Sequence, residues 1–271
     1  MSTVTTTPAG RGWTSRPTTT PAGRLRALAR AELTLLGRNR NVVVTALLVP
    51  LALPFSVRPA VDQMDLKGEG LSVGAVMLTA AIGFSLLFAV YSALVSAFVA
   101  RREELVLKRL RTGELGDSEI LAGTALPSVC LGFVQSLLLA AACALLLDAG
   151  APRAPQLALL GLLFGLALCV GLAAVTASFT RTAESAQVTA LPVLFLSMLG
   201  SGIIIPDQLL PDRMARVCEF LPLSPAIRLI SGGWTGGLST SATLGALATA
   251  VAWTVVAVFA VRRWFRWEPR R

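Results

Sequence analysis

Apolar positions along the 271-residue chain gather into long runs separated by short polar islands, and the runs set the predicted architecture. Six of them read as helices: residues 41–57, 71–99, 119–147, 156–179, 185–205 and 242–261. A helix that crosses a bilayer needs about 20 apolar residues. The first run is therefore short, and the second and third are long enough to tilt or to project beyond the membrane. Pro50 and Pro54 predict a kink in the first run, where neighbouring groups must satisfy the freed backbone. Pro127 and Pro192 are weaker interruptions of the third and fifth. The pattern predicts an all-α polytopic membrane protein, with six transmembrane helices between residues 41 and 261.

The flanks of this region carry different patterns. Residues 1–23 are rich in Thr, Pro and Gly, and TTTPAGR occurs twice, so too little apolar surface exists to offset the entropy of ordering; a disordered tail is predicted. Over residues 24–40, Leu25, Leu28, Ala29, Leu33, Leu35 and Leu36 share one arc at 100° per residue, with Arg24, Arg26, Arg30, Thr34 and Arg38 opposite. That pattern predicts an N-terminal amphipathic interfacial helix. Glu32 interrupts its apolar arc, and either pairs with a neighbouring Arg or faces a protein partner. Ahead of the last run, Pro206 and Pro211 frame a turn, Asp212 is a candidate cap, and Met214, Val217, Cys218 and Leu221 recur at helical spacing before Pro222 and Pro225. A short outer helical element is predicted there, followed by a second short segment at 226–230. Residues 262–271 form a basic tail in which Trp264, Phe265 and Trp267 alternate with Arg262, Arg263 and Arg266, the mark of a membrane-interface anchor.

Composition agrees with the pattern: 54% of residues are hydrophobic and only 14% charged, against about a quarter charged in soluble domains. Charge then orients the spans. The formal charge is +9, from 24 Lys and Arg against 15 Asp and Glu. If the N-terminus is inside, only Arg58, Lys67, Arg153, Arg213, Arg216 and Arg228 fall in outer segments, so the positive-inside rule predicts both termini in the cytoplasm. The basic excess is thereby explained by topology and does not call for nucleic acid. An Ala-, Leu- and Arg-rich chain whose only lysines are Lys67 and Lys108 suggests a bacterial cell membrane. Cys130, Cys143, Cys169 and Cys218 form no CxxC and suggest neither a zinc site nor a disulfide framework.

Several chemistries are excluded. There is no phosphate loop of the GxxxxGK[ST] type, so the chain does not hydrolyse ATP by that route. There is no His, and the apolar runs contain no internal Lys to serve a Ser nucleophile. Their cores also hold no Asp or Glu, the groups that proton-driven carriers place at mid-membrane. The chain is expected to be neither an enzyme nor cofactor-dependent, and to take its driving force from a partner. The strongest candidate for a docking element is the charged island between the second and third runs, with Arg101, Arg102, Lys108, Arg109 and Arg111 set against Glu103, Glu104, Glu114, Asp117 and Glu119.

Two stretches carry a family resemblance: RREELVLKRLRTGELGDSEILAGTALP, beginning at Arg101, and SGIIIPDQLLPDRMARVCEFLPLSPAIRLI, beginning at Ser201. With the basic amphipathic stretch before six runs, they resemble the membrane subunit of ABC-2 type ABC exporters. The resemblance implies a permease working as a dimer, each copy docked to a cytoplasmic ABC ATPase subunit. It also implies that Arg101, Arg102, Glu103 and Glu104 form a coupling helix, with Glu114, Asp117 and Glu119 at its exit and Glu32 on the amphipathic helix. The same charges also read simply as solvated topology anchors. Gln135, Ser136, Thr176, Ser178, Gln187, Thr189 and Ser197 lie within or near the spans and either line a substrate path or bond neighbouring helices; Gly161 and Gly165 form a GxxxG suited to helix packing. A hydrophobic drug or antibiotic, a lipid-linked glycan or a peptide is the expected cargo, an amphipathic small molecule fitting the apolar spans best. The alternative is a non-transporting membrane anchor or sensory subunit that recruits a cytoplasmic protein through the same loop. Cargo-stimulated ATPase activity in a purified complex separates the two.

Overall fold

The computed structural model describes residues 72–112, 116–147, 149–206, 209–265 and 267, together with residues 23, 30, 34, 58, 59, 61 and 63. The predicted first span at 41–57, Glu32 and Glu114 lie outside the described residues. So does the interfacial helix at 24–40, except for Arg30 and Thr34. Both are helical, with the Thr34 hydroxyl donating to the Arg30 carbonyl at 2.7 Å.

Among the described residues the chain is all-helical, with no strand. In order it forms α1 (Val73–Glu103), α2 (Val106–Arg111), α3 (Asp117–Leu146), α4 (Pro155–Phe179), α5 (Ala186–Gly200), α6 (Asp212–Cys218), α7 (Ser224–Thr235) and α8 (Thr240–Trp264). Of these, α1, α3, α4 and α8 are long and apolar enough to cross a membrane. Local chemistry marks their starts. The Ser72 and Ser239 hydroxyls accept the N–H groups of Ala75 and Ala242, satisfying donors that a helix leaves open at its N-terminus. Pro155 and Pro225 sit in first turns, where a missing N–H costs nothing. At the start of α3 the Glu119 carboxylate accepts from the Gly116 N–H at 2.9 Å. This is half of a capping box, since Gly116 has no side chain to return the bond.

The bundle is built around α1. In its most apolar stretch 89% of residues are buried, against 22% in α8. Leu86, Leu87, Val90, Tyr91, Leu94, Val95, Phe98 and Val99 are all sealed inside, with α3, α4 and α5 packed about them and α7 against the earlier turns of the same helix, Val73–Phe84. Within α1, residues Ser85–Ser92 adopt π-helical hydrogen bonding. The wider turn carries Tyr91 to α4, where its hydroxyl meets Thr176 Oγ1 at 3.0 Å. On the outside, α8 exposes Val251, Val255, Val258 and Phe259, a face suited to lipid tails.

Two elements depart from the sequence pattern. The fifth apolar run continues to Ile205, but α5 stops at Gly200 and Gly202 turns the chain at φ +72°. Its 15 residues extend roughly 23 Å at 1.5 Å per residue, less than the ~30 Å hydrocarbon core. The second difference is α7. Pro225 opens it rather than ending a helix, and it runs for 12 residues instead of a short stretch at 226–230. It is also buried, running antiparallel to α4 at very close range. A Cβ added to Gly161 would lie 2.8 Å from Ala226 O and 2.8 Å from Ile230 N, and one added to Gly165 would lie 3.5 Å from Ala226 Cβ. The Ala154 N–H donates to Gly233 O at 2.8 Å, fixing the two helices where they meet the surface. The GxxxG of α4 is thus the seat of α7.

Candidate functional site

The charges of the island gather at one end of the bundle, where α1 stops, α3 starts, α4 ends, α5 begins and α8 finishes. Arg101, Arg102 and Glu103 do not form a separate helix. No breaker follows Val99, so α1 continues through Glu103, and Glu104 is its C-cap. Leu105 then adopts φ +60°, a left-handed conformation usually left to Gly at this position, and α2 begins immediately after it. The short helix that stands apart is α2, with Leu107 buried and Lys108, Arg109 and Arg111 exposed.

Arg102 does not point to solvent: it is 1% exposed. Its guanidinium donates to Ala177 O at 2.8 Å and to Thr180 O at 2.6 Å, with a longer contact to Arg181 O at 3.4 Å. These carbonyls lie at and just beyond the C-terminus of α4, where helices leave acceptors open and the macrodipole favours a cation. The adjacent Glu103 accepts from the Ala183 N–H at 3.1 Å. One turn of α1 therefore holds the α4–α5 turn from both sides, a donor on its carbonyls and an acceptor on its amide.

A second tie joins the island to the end of α8. Arg111 pairs with Asp117 at 3.0 Å and lies 5.1 Å from the Trp267 ring centroid. Trp267 packs edge-on to Phe265 at 5.0 Å, and Phe265 to Phe98 of α1 at 6.2 Å. The aromatic cluster expected as an interface anchor thus also reaches α2. Glu104 is exposed, and Glu119 caps α3 as described above.

Ser136, Thr176, Ser178, Gln187 and Thr189 spend their side-chain hydrogen bonds inside the bundle. Ser136, Ser178 and Thr189 donate to carbonyls four residues earlier in the chain. Thr176 meets Tyr91, and Gln135 and Ser197 are buried. Gln187 on α5 bridges α1: its Oε1 accepts from Ser92 Oγ and its Nε2 donates to Ser96 Oγ, each at 2.9 Å. Replacing Gln187 with Leu removes both bonds. The unfolding free energy in detergent is expected to fall by about 1 kcal/mol, whereas Val188→Leu on the exposed face of α5 leaves it unchanged.

Two cavities lie toward opposite ends of the bundle, and none of these seven residues lines either. At the end opposite the island, a polar cavity of about 600 Å³ is bordered by Thr79, Arg153, Ser201, Glu219 and Arg228. Its Arg228–Glu219 pair is 2.9 Å apart. At the island's own end, an apolar groove of about 760 Å³ runs between α3, α4 and α8. No group of three or more His, Cys, Asp or Glu among the described residues is placed to hold a metal.

Comparison with known proteins places the chain by family. The family model described as ABC-2 type transporter matches residues 23–233, the greater part of the chain. No curated protein matches it.

Proposed function

Because the chain belongs to the ABC-2 type transporter family, a membrane transport component that normally works with an ABC ATPase, we propose that it is the permease subunit of an ATP-driven exporter. In this reading it spans the bacterial cell membrane six times, with 41–57 as the first span and α5 as the fifth, and both termini are cytoplasmic. Two copies form the pathway. The cargo is a hydrophobic or amphipathic molecule, drug-like in size. The ATPase is a separate subunit that docks on the exposed charges of α2 and the end of α1.

The observation that carries this reading is the double tie of the island to the rest of the bundle. A docking loop can drive a transporter only if its movement reaches the spans. Arg102 and Glu103 link it to the α4–α5 turn, and Arg111 links it through Trp267 to α8. A push on α2 therefore acts on α1, α4, α5 and α8 together. The polar cavity at the far end offers a place where a cargo with a polar group leaves the spans.

The test is an affinity pull-down of the tagged chain from mild detergent, followed by mass spectrometry. A soluble protein with a phosphate loop is expected to co-purify and to be lost on Lys108→Glu with Arg109→Glu, both exposed positions. A co-purifying soluble protein without a phosphate loop would move the reading to the anchor alternative, and recovery of the chain alone would count against both. A second prediction addresses coupling. Replacing Glu103 and Glu104 together with Ala keeps the ATPase bound but lowers ATP-dependent transport about tenfold, the equivalent of one charge-assisted hydrogen bond. Unchanged transport by the double variant in reconstituted vesicles would remove Glu103 from the coupling path.

A further inference from the structure

We infer that the apolar groove between α3, α4 and α8 is a binding site for an anionic phospholipid, with an acyl chain in the groove and its headgroup at Arg262. The groove is apolar along its length, walled by Leu121, Ala167, Val170 and Val258. Its one mid-groove hydroxyl, Thr254, donates to Ala250 O of its own helix at 2.8 Å and offers nothing to a ligand. Apart from Thr254, the polar groups among the described lining residues are at the basic end, where Asp117, Ser118, Arg262 and Trp267 ring the mouth.

That distribution selects an amphiphile with its polar group at one end. Charge then selects its sign. Asp117 is held by Arg111 at 3.0 Å, and no carboxylate pairs with Arg262 among the described residues. Among the described residues the mouth is therefore cationic, which disfavours a cationic amphiphile. Trp267 and Phe265 sit at the same level, the depth at which aromatic side chains accompany headgroups. An anionic leaflet supplies such a ligand at high local concentration.

The placement of this end in the inner leaflet rests on the orientation proposed above, but lipid retention in detergent does not depend on it. Failure of the lipid test therefore leaves the exporter reading intact. The full chain, purified from a bilayer mixture of phosphatidylglycerol and phosphatidylcholine with identical acyl chains, is examined by native mass spectrometry. The wild-type chain is expected to retain phosphatidylglycerol in preference. Arg262→Ala reduces that preference about fivefold, and Arg263→Ala, whose side chain does not line the groove, has less effect. Ala122→Trp and Ala167→Trp fill the groove from exposed positions and remove both lipids with no change in melting temperature. Equal retention of the two lipids by the wild-type chain overturns the proposal, as does unaltered retention by both Trp variants. Retention of neither lipid overturns it too, and an Ala167→Cys thiol then shielded from maleimide would put the chain's own residues in the groove.

Discussion

Replacing Arg102 with Ala is expected to lower the unfolding free energy by roughly 3 kcal/mol, the largest effect of any single charge in the island. The side chain is buried, and its removal leaves the carbonyls of Ala177 and Thr180 without the donor that now serves them, in a place water does not reach. Arg102→Lys recovers only part of the loss, because an ammonium is a compact point charge and does not reproduce the two-pronged guanidinium. Arg109→Ala, at an exposed position, costs nothing measurable. Thermal unfolding in detergent, followed by tryptophan fluorescence, checks all three. Equal losses at Arg102 and Arg109 would show that both act only as surface charges.

The second large effect is one of sign. In a helix interior, Gly→Ala ordinarily stabilises by up to about 1 kcal/mol. Gly245→Ala in α8 should do so, since nothing lies within 4 Å of the added methyl. Gly161→Ala should instead destabilise by about 2 kcal/mol, the cost of overpacking a close contact. The obstructing atoms are Ala226 O, Ile230 N and Leu229 Cβ, each 2.8 Å away. The first two are backbone and cannot move aside without shifting α7. The pair of variants, measured side by side, reads the α4–α7 seat directly; the same sign at both positions would refute it.

The long helices were legible because lipid imposes its own length on them. The runs at 119–147 and 156–179 differ from α3 and α4 by no more than two residues at any end. The capping role of Glu119 and the Arg111 pairing of Asp117 were less visible, since carboxylates at a helix start serve a coupling loop and such local bonds alike. Arg102 was hidden by composition: in the run RREE it is one charge among four. Helical phase would have separated it, because Leu94, Phe98 and Arg102 follow at intervals of four along the buried side of α1. The intramembrane hydroxyls pose the same problem without a remedy of that kind. A Ser that bonds the carbonyl one turn back occupies the same sequence position as one that lines a path. The burial of α7 was not legible at all. Its Pro, Ser, Arg and Gly residues left only a short segment at 226–230 to be read, and the reason it lies inside is a pair of glycines more than 60 positions earlier.

That dependence also sets an order of assembly during synthesis. With 12 residues, α7 reaches about 18 Å and is too short to be threaded across a ~30 Å hydrocarbon layer as an independent span. Alone in lipid, the open amides and carbonyls at its ends would have no partners. The glycine notch of α4 leaves the ribosome first and is in place when its later partner arrives, with the Ala154 N–H ready to donate to Gly233 O. A chain stalled before residue 224 is thus a bundle with an empty seat, and the last span closes over it once α7 has been received.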